Sequence, residues 1–86
     1  SVLGEYESAI QTLHQAAEYF PDSYEIEYRL AGLYYMFIEM DKGKIHLEKG
    51  LKLNFKQQTL LQELFPKVWN EKKVQALIQK HTPKNP

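Results

Sequence analysis

The sequence predicts an all-α fold of about five helices, nested as antiparallel hairpins and stacked into a superhelix. Three observations carry this expectation. Shifted by 34 residues the chain matches itself: Ala9 falls on Gly43, Leu13 on Leu47, Ala16 on Gly50, Ala17 on Leu51 and Leu30 on Leu64. A period of this length marks a stacked helix-turn-helix repeat. Apolar residues recur at steps of three and four, and no alternating stretch of useful strand length interrupts them. The breaks between periodic stretches are two to four residues long, which makes successive helices antiparallel neighbours.

Each helix has its own signals. Tyr6, Ala9, Ile10, Leu13, Ala17 and Phe20 form the single buried stripe of the first. Pro21 ends it, because proline has no N–H to donate and restricts the residue before it. Asp22 occupies an N-cap position with Glu25 three residues on, predicting a second helix that buries Ile26, Leu30, Leu33, Tyr34 and Phe37. Gly32 in its middle costs about 1 kcal/mol against alanine, which calls for close approach of a neighbouring helix or a ligand. Asp41 is the expected cap of a third helix, with Met40 and Ile45 as a hydrophobic staple. In it Gly43 and Gly50 lie two turns apart on one face, a bare strip suited to tight antiparallel packing. A fourth helix is expected from near Lys56 to Phe65, where Pro66 ends or kinks it. Val68 and Trp69 follow as anchors, and Asn70 caps a last helix burying Val74, Leu77 and Ile78. His81 to Pro86 reads as a frayed tail.

At 86 residues the chain has room for one small domain with a modest core. A hydrophobic fraction of 43% argues for folding rather than disorder. With no cysteine there is neither a disulfide nor a thiolate metal site, and the redox compartment is unreadable. No apolar run approaches the ~20 residues of a membrane span. The formal net charge of zero hides an asymmetry. Residues 1–41 carry eight acids and one base, a net of −7, and residues 42–86 carry three acids and ten lysines, a net of +7. The lysines are spread among Glu48, Glu63 and Glu71 rather than clustered, which argues against nucleic acid. Two readings of the asymmetry stay open: solvated helix faces of opposite sign, or a charge-steered contact with a partner or a second copy.

With these pairs in hand, GEYESAIQTLHQAAEYFP (Gly4 to Pro21) resembles the second helix of a tetratricopeptide repeat (TPR): turn glycine Gly4, aromatic Tyr6, small Ala9, bulky Leu13, small Ala16, closing Pro21. Tyr24 to Leu53 resembles a complete repeat, with Leu30, Ala31 and Tyr34 in its first helix and Gly43, Leu47 and Gly50 in its second. Three positions depart from the pattern: Glu27 where the family favours tryptophan, Ile38 at the turn glycine and Phe55 at the closing proline. The segment LLQELFPKVWNEKKVQALIQK is similar to the irregular helices that close such arrays in some bacterial proteins. The resemblance implies one TPR-like domain over residues 1–80. Residues 4–21 are then half of a partial repeat, 22–54 a full repeat, 55–81 capping helices and 82–86 a flexible tail. A complete first repeat would need roughly 20 further residues before Ser1. The opening helix is therefore expected to show a bare apolar face, suited to a longer parent protein or to self-association.

The resemblance also implies a concave groove lined by the first helix of each pair, here Glu25, Tyr28, Arg29, Gly32, Tyr35 and Met36. Tyr28, Gly32, Tyr35 and Met36 share one helix face by spacing, and tyrosine and arginine are enriched at interface hot spots. The competing reading is that Tyr28 and Tyr35 pack against a neighbouring repeat. His14, His46 and His81 are scattered without metal-ligand spacing, and His14 and His46 are expected on exposed repeat edges. No phosphate loop and no nucleophile constellation is identifiable, so no enzyme, cofactor or metal is expected. The expected function is a scaffold module holding a peptide or helix; the alternative is a homo-oligomerisation or capping element of a larger repeat protein.

Overall fold

Helix α2 (Tyr24–Met36) is the centre of the molecule because it is apolar on two faces. In the computed structural model, which describes residues 1–84, one face packs under α1 (Val2–Tyr19). The other packs on α3 (Met40–Leu53) and on the C-terminal segment. That segment is a 3-10 turn (Phe55–Gln58) followed by α4 (Thr59–Leu64), α5 (Pro66–Trp69) and α6 (Lys72–Lys80). The fold is all-helical, with six α-helices among the described residues, and its helix pairs pack as the repeat period requires. The extra element arises at Pro66, which starts a new short helix at its first position instead of simply ending the old one.

Two clusters make the core. Tyr6, Ile26, Leu30 and Tyr34 join α1 to α2. The larger cluster contains Tyr28, Ala31, Tyr35, Leu47, Leu51, Leu61, Val68, Val74, Leu77 and Ile78, and runs through α2, α3 and all three C-terminal helices. Burying a side chain such as Leu47 or Leu61 contributes about 2 kcal/mol, so α4 to α6 are structural members and not a loose appendage. Tyr6 adds a second tie for α1: its ring stacks on Phe37 at 3.7 Å and its hydroxyl donates to Glu39 Oε2 at 2.6 Å.

Several caps fall one or two residues from their expected places. Ser23, not Asp22, caps α2, accepting from the Ile26 amide at 3.4 Å. Glu39 precedes α3, so Asp41 lies in its first turn, and Ile45 is exposed rather than stapled to Met40. Glu71, not Asn70, precedes α6. His81 is not frayed: its Nε2 lies 2.8 Å from Glu48 Oε2, clipping the end of α6 to α3, and Thr82 donates to the Ile78 carbonyl at 3.1 Å. The last two residues of the expected tail, 85 and 86, lie outside the described residues.

The α2–α3 turn explains one departure from the repeat pattern. Glu39 N–H donates to the Tyr34 carbonyl at 2.8 Å and Ile38 N–H to the Tyr35 carbonyl at 3.2 Å, the two bonds of a Schellman closure. That closure needs a left-handed residue, and Ile38 supplies it at φ 63°. A β-branched residue there stores about 1–2 kcal/mol of strain, and at 77% exposure Ile38 has little packing to offset it. Ile38→Gly is therefore expected to raise stability by about 1 kcal/mol after the entropy cost of glycine. Urea denaturation checks this, and a lower midpoint would contradict it.

Candidate functional site

The face of α2 turned toward α3 is built from a residue pattern centred on the turn. Tyr35 and Gly43 lie four residues either side of residue 39, and Tyr28 and Gly50 eleven either side. In an antiparallel hairpin such pairs face each other, and they do. A β-carbon on Gly43 would sit 2.8 Å from the Tyr35 ring, and one on Gly50 3.2 Å from the Tyr28 ring. Each glycine is a seat for a tyrosine. Tyr28 is 1% exposed and its hydroxyl donates to the Asn54 carbonyl at 2.7 Å; Tyr35 is 8% exposed.

Of the six residues expected to line an open groove, the structure splits the set. Glu25, Arg29 and Met36 are exposed along one edge of α2, while Tyr28, Gly32 and Tyr35 are buried. The expectation of an open tyrosine surface is corrected on that point. The occupant is the chain itself, and the partner helix is α3 of the same hairpin, not a neighbouring repeat. Gly32 is covered by Phe65: a β-carbon on Gly32 would collide with the Phe65 ring, so glycine is what lets that ring sit there. Phe65 is the residue sequence reasoning missed. Its signal was the pairing of a costly mid-helix glycine with an aromatic next to Pro66, in a segment where repeat register had faded.

The histidines depart from expectation too. His46 is not on an open edge: its Nδ1 lies 2.7 Å from Oε1 of Glu27, a carboxylate only 2% exposed, whose Oε2 is 3.7 Å from Lys49 Nζ. Glu27 stands where the family favours tryptophan, so an ion-paired carboxylate replaces an apolar ring between the helices. His46 stacks on Tyr34, and the Tyr34 hydroxyl lies 2.7 Å from His14 Nε2. His14 is exposed, as expected, but ties α1 into this chain of contacts. Among the described residues no three His, Asp or Glu side chains are placed to hold a metal ion.

Burial is the largest cause pushing the Tyr6, Tyr28, Tyr34 and Tyr35 hydroxyls above their ordinary value; for Tyr6 the bond to Glu39 adds to it. The hydrogen bond from His81 holds the Glu48 carboxyl below the usual carboxylate range. A raised folded-state value means that protonated tyrosine stabilises the fold below about pH 10, and that this contribution is lost as pH rises further. A depressed carboxyl works in reverse: Glu48 contributes above the ordinary carboxylate value, and the contribution is lost as pH falls. Helix content by circular dichroism is expected to decline on both limbs. Tyr28→Phe shallows the alkaline limb and Glu48→Gln the acid one; unchanged limbs would contradict these assignments.

The tetratricopeptide repeat family pattern matches residues 3–64, which cover α1 from its second residue, the α2–α3 hairpin and α4. No curated protein and no solved structure matches the chain.

Proposed function

This chain belongs to the tetratricopeptide repeat family, and we propose that it is a scaffold module that binds a peptide or helix without catalysis. Repeats of this family are generally protein-interaction modules, and among the described residues no helix is long and apolar enough to cross a membrane. The surface we assign is the open edge of α2: Glu25, Arg29 and Met36, with the half-buried Phe65 ring seated over Gly32. One observation carries the reading. These side chains stand exposed on a helix whose remaining faces are held on both sides by packed helices, so they are presented on a rigid support. Arginine and methionine are enriched at interfaces.

The test is site-specific photocrosslinking in the native cell from Arg29, from Met36 and from Gln11 on the outer side of α1. Adducts to one polypeptide from the two α2 positions, lost in an Arg29→Glu, Met36→Glu variant, support the reading. Adducts from Gln11 alone, or none, count against it. A second reading, homo-oligomerisation, is favoured by α1, where Val2, Leu3 and Tyr19 are exposed and no lysine or arginine occurs. Light scattering over a salt series separates the two, since charge-driven assembly dissociates as salt rises.

A further inference from the structure

The Phe65 plug and the three C-terminal helices leave a stretch beside the end of α2 open. Between the start of α3 and α6 lies a groove of about 400 Å³. Tyr35, Met40 and Leu77 supply its apolar lining, and Lys44, Lys73 and Lys80 its charge. Among the described lining residues Asp41 is the one acid, which leaves a net charge of +2 from three lysines and one aspartate, with Glu48 and Glu71 near Tyr35 at its margin. Tyr35 adds a polar feature. The hydroxyls of the buried Tyr6, Tyr28 and Tyr34 all have a protein partner, whereas among the described residues that of Tyr35 makes no such bond. The Tyr35 hydroxyl is not among the buried unpartnered atoms, so it opens to solvent at the groove, where a bound segment can reach it.

We propose that this groove binds an acidic polypeptide segment, one apolar side chain entering between Met40 and Leu77 while flanking carboxylates meet Lys44, Lys73 and Lys80. The inference rests on the reading of the chain as a protein-binding module and specifies the chemistry of a partner. Charge complementarity selects the occupant: three ammonium groups around an apolar floor repel a basic segment and leave a neutral one without polar partners. The Tyr35 hydroxyl is the donor available to a carboxylate or carbonyl of the bound segment. Tyr35 lies on α2, but Glu25, Arg29 and Met36 do not line the groove, so the two contacts are separable by mutation.

Fluorescence anisotropy at low salt tests it with three labelled synthetic peptides. One carries a central leucine flanked by glutamates, one has serine for the leucine, and one has lysine for each glutamate. The first is expected to bind, the second about tenfold more weakly, and the third not at all. The variant K44E/K73E/K80E, whose three positions are all exposed, is expected to keep its helix content and lose about tenfold in affinity for the first peptide. Tyr35→Phe is expected to lose about fivefold. The control K52E/K56E/K67E reverses as many exposed lysines outside the groove and is expected to bind like the unaltered chain.

Equal loss in the control would mean bulk charge attraction and would overturn the proposal, as would equal binding of the serine peptide. Self-association abolished by K44E/K73E/K80E would overturn it in favour of a second copy as occupant. Failure of the peptide to bind while Arg29 and Met36 still crosslink a partner sinks this inference alone. Loss of those crosslinks with peptide binding intact sinks the α2-edge surface instead.

Discussion

Tyr28→Ala is expected to lower stability by about 3–5 kcal/mol, the cost of deleting a buried aromatic and leaving a cavity. The ring is 1% exposed and lies against Gly50, whose lack of a side chain leaves nothing able to expand into the space. The Asn54 carbonyl also loses its donor. A domain of this size has only about 5–15 kcal/mol in total, so the variant sits near the edge of folding. Tyr28→Phe separates the two contributions, keeping the ring and removing the bond at a cost of about 1 kcal/mol. Urea denaturation followed by circular dichroism reads both. A Tyr28→Ala chain as stable as the parent would mean that the tyrosine is a surface residue, and the open groove would return.

The second large effect concerns Glu27. His46→Ala strips the carboxylate of its 2.7 Å partner and leaves it with Lys49 at 3.7 Å on a half-exposed side chain. Breaking a buried pair from one side leaves an uncompensated charge in the interior, and the expected loss is about 2–4 kcal/mol. Removing the charge together with its partner avoids that penalty. Glu27→Leu combined with His46→Leu is expected to fall within about 1 kcal/mol of the unaltered chain. Coupling between the two sites is read from the full cycle, with Glu27→Leu and His46→Leu each made alone and the double variant expected to lose less than their sum.

How far the sequence carried these conclusions depends on the kind of signal each residue sends. The helices, the repeat period and the glycine strip were legible, because spacing survives without knowledge of partners. Tyr28 and Tyr35 were seen as a stripe and Gly43 and Gly50 as a strip, yet the two were not joined. Their symmetry about residue 39 was available, but it becomes a contact only once the turn position is fixed. Caps moved by one or two residues because serine, aspartate and glutamate all sit near each helix start and compete for the same free amides.

Long-range polar contacts were not legible. Glu27 and His46 are 19 residues apart and His81 and Glu48 are 33 apart, and nothing local marks them as partners. The Phe65 plug was hidden for the same reason. An aromatic beside a proline reads as a terminator until Gly32 is placed under it. Ile38 shows the converse. Its departure from the repeat pattern was visible in the sequence, and the turn kept its left-handed geometry despite it.

The chain's own C-terminal segment fills the face of α2 over Gly32, with the Phe65 ring seated on the glycine. A proton NOE experiment on the folded protein asks this directly, by contacts between the Phe65 ring and the Gly32 α-protons. The ring seated on the glycine predicts strong cross-peaks and α-proton shifts displaced by the ring current, both abolished in Phe65→Leu. Ordinary Gly32 shifts, with no cross-peak and a freely exposed Phe65 ring, would contradict it.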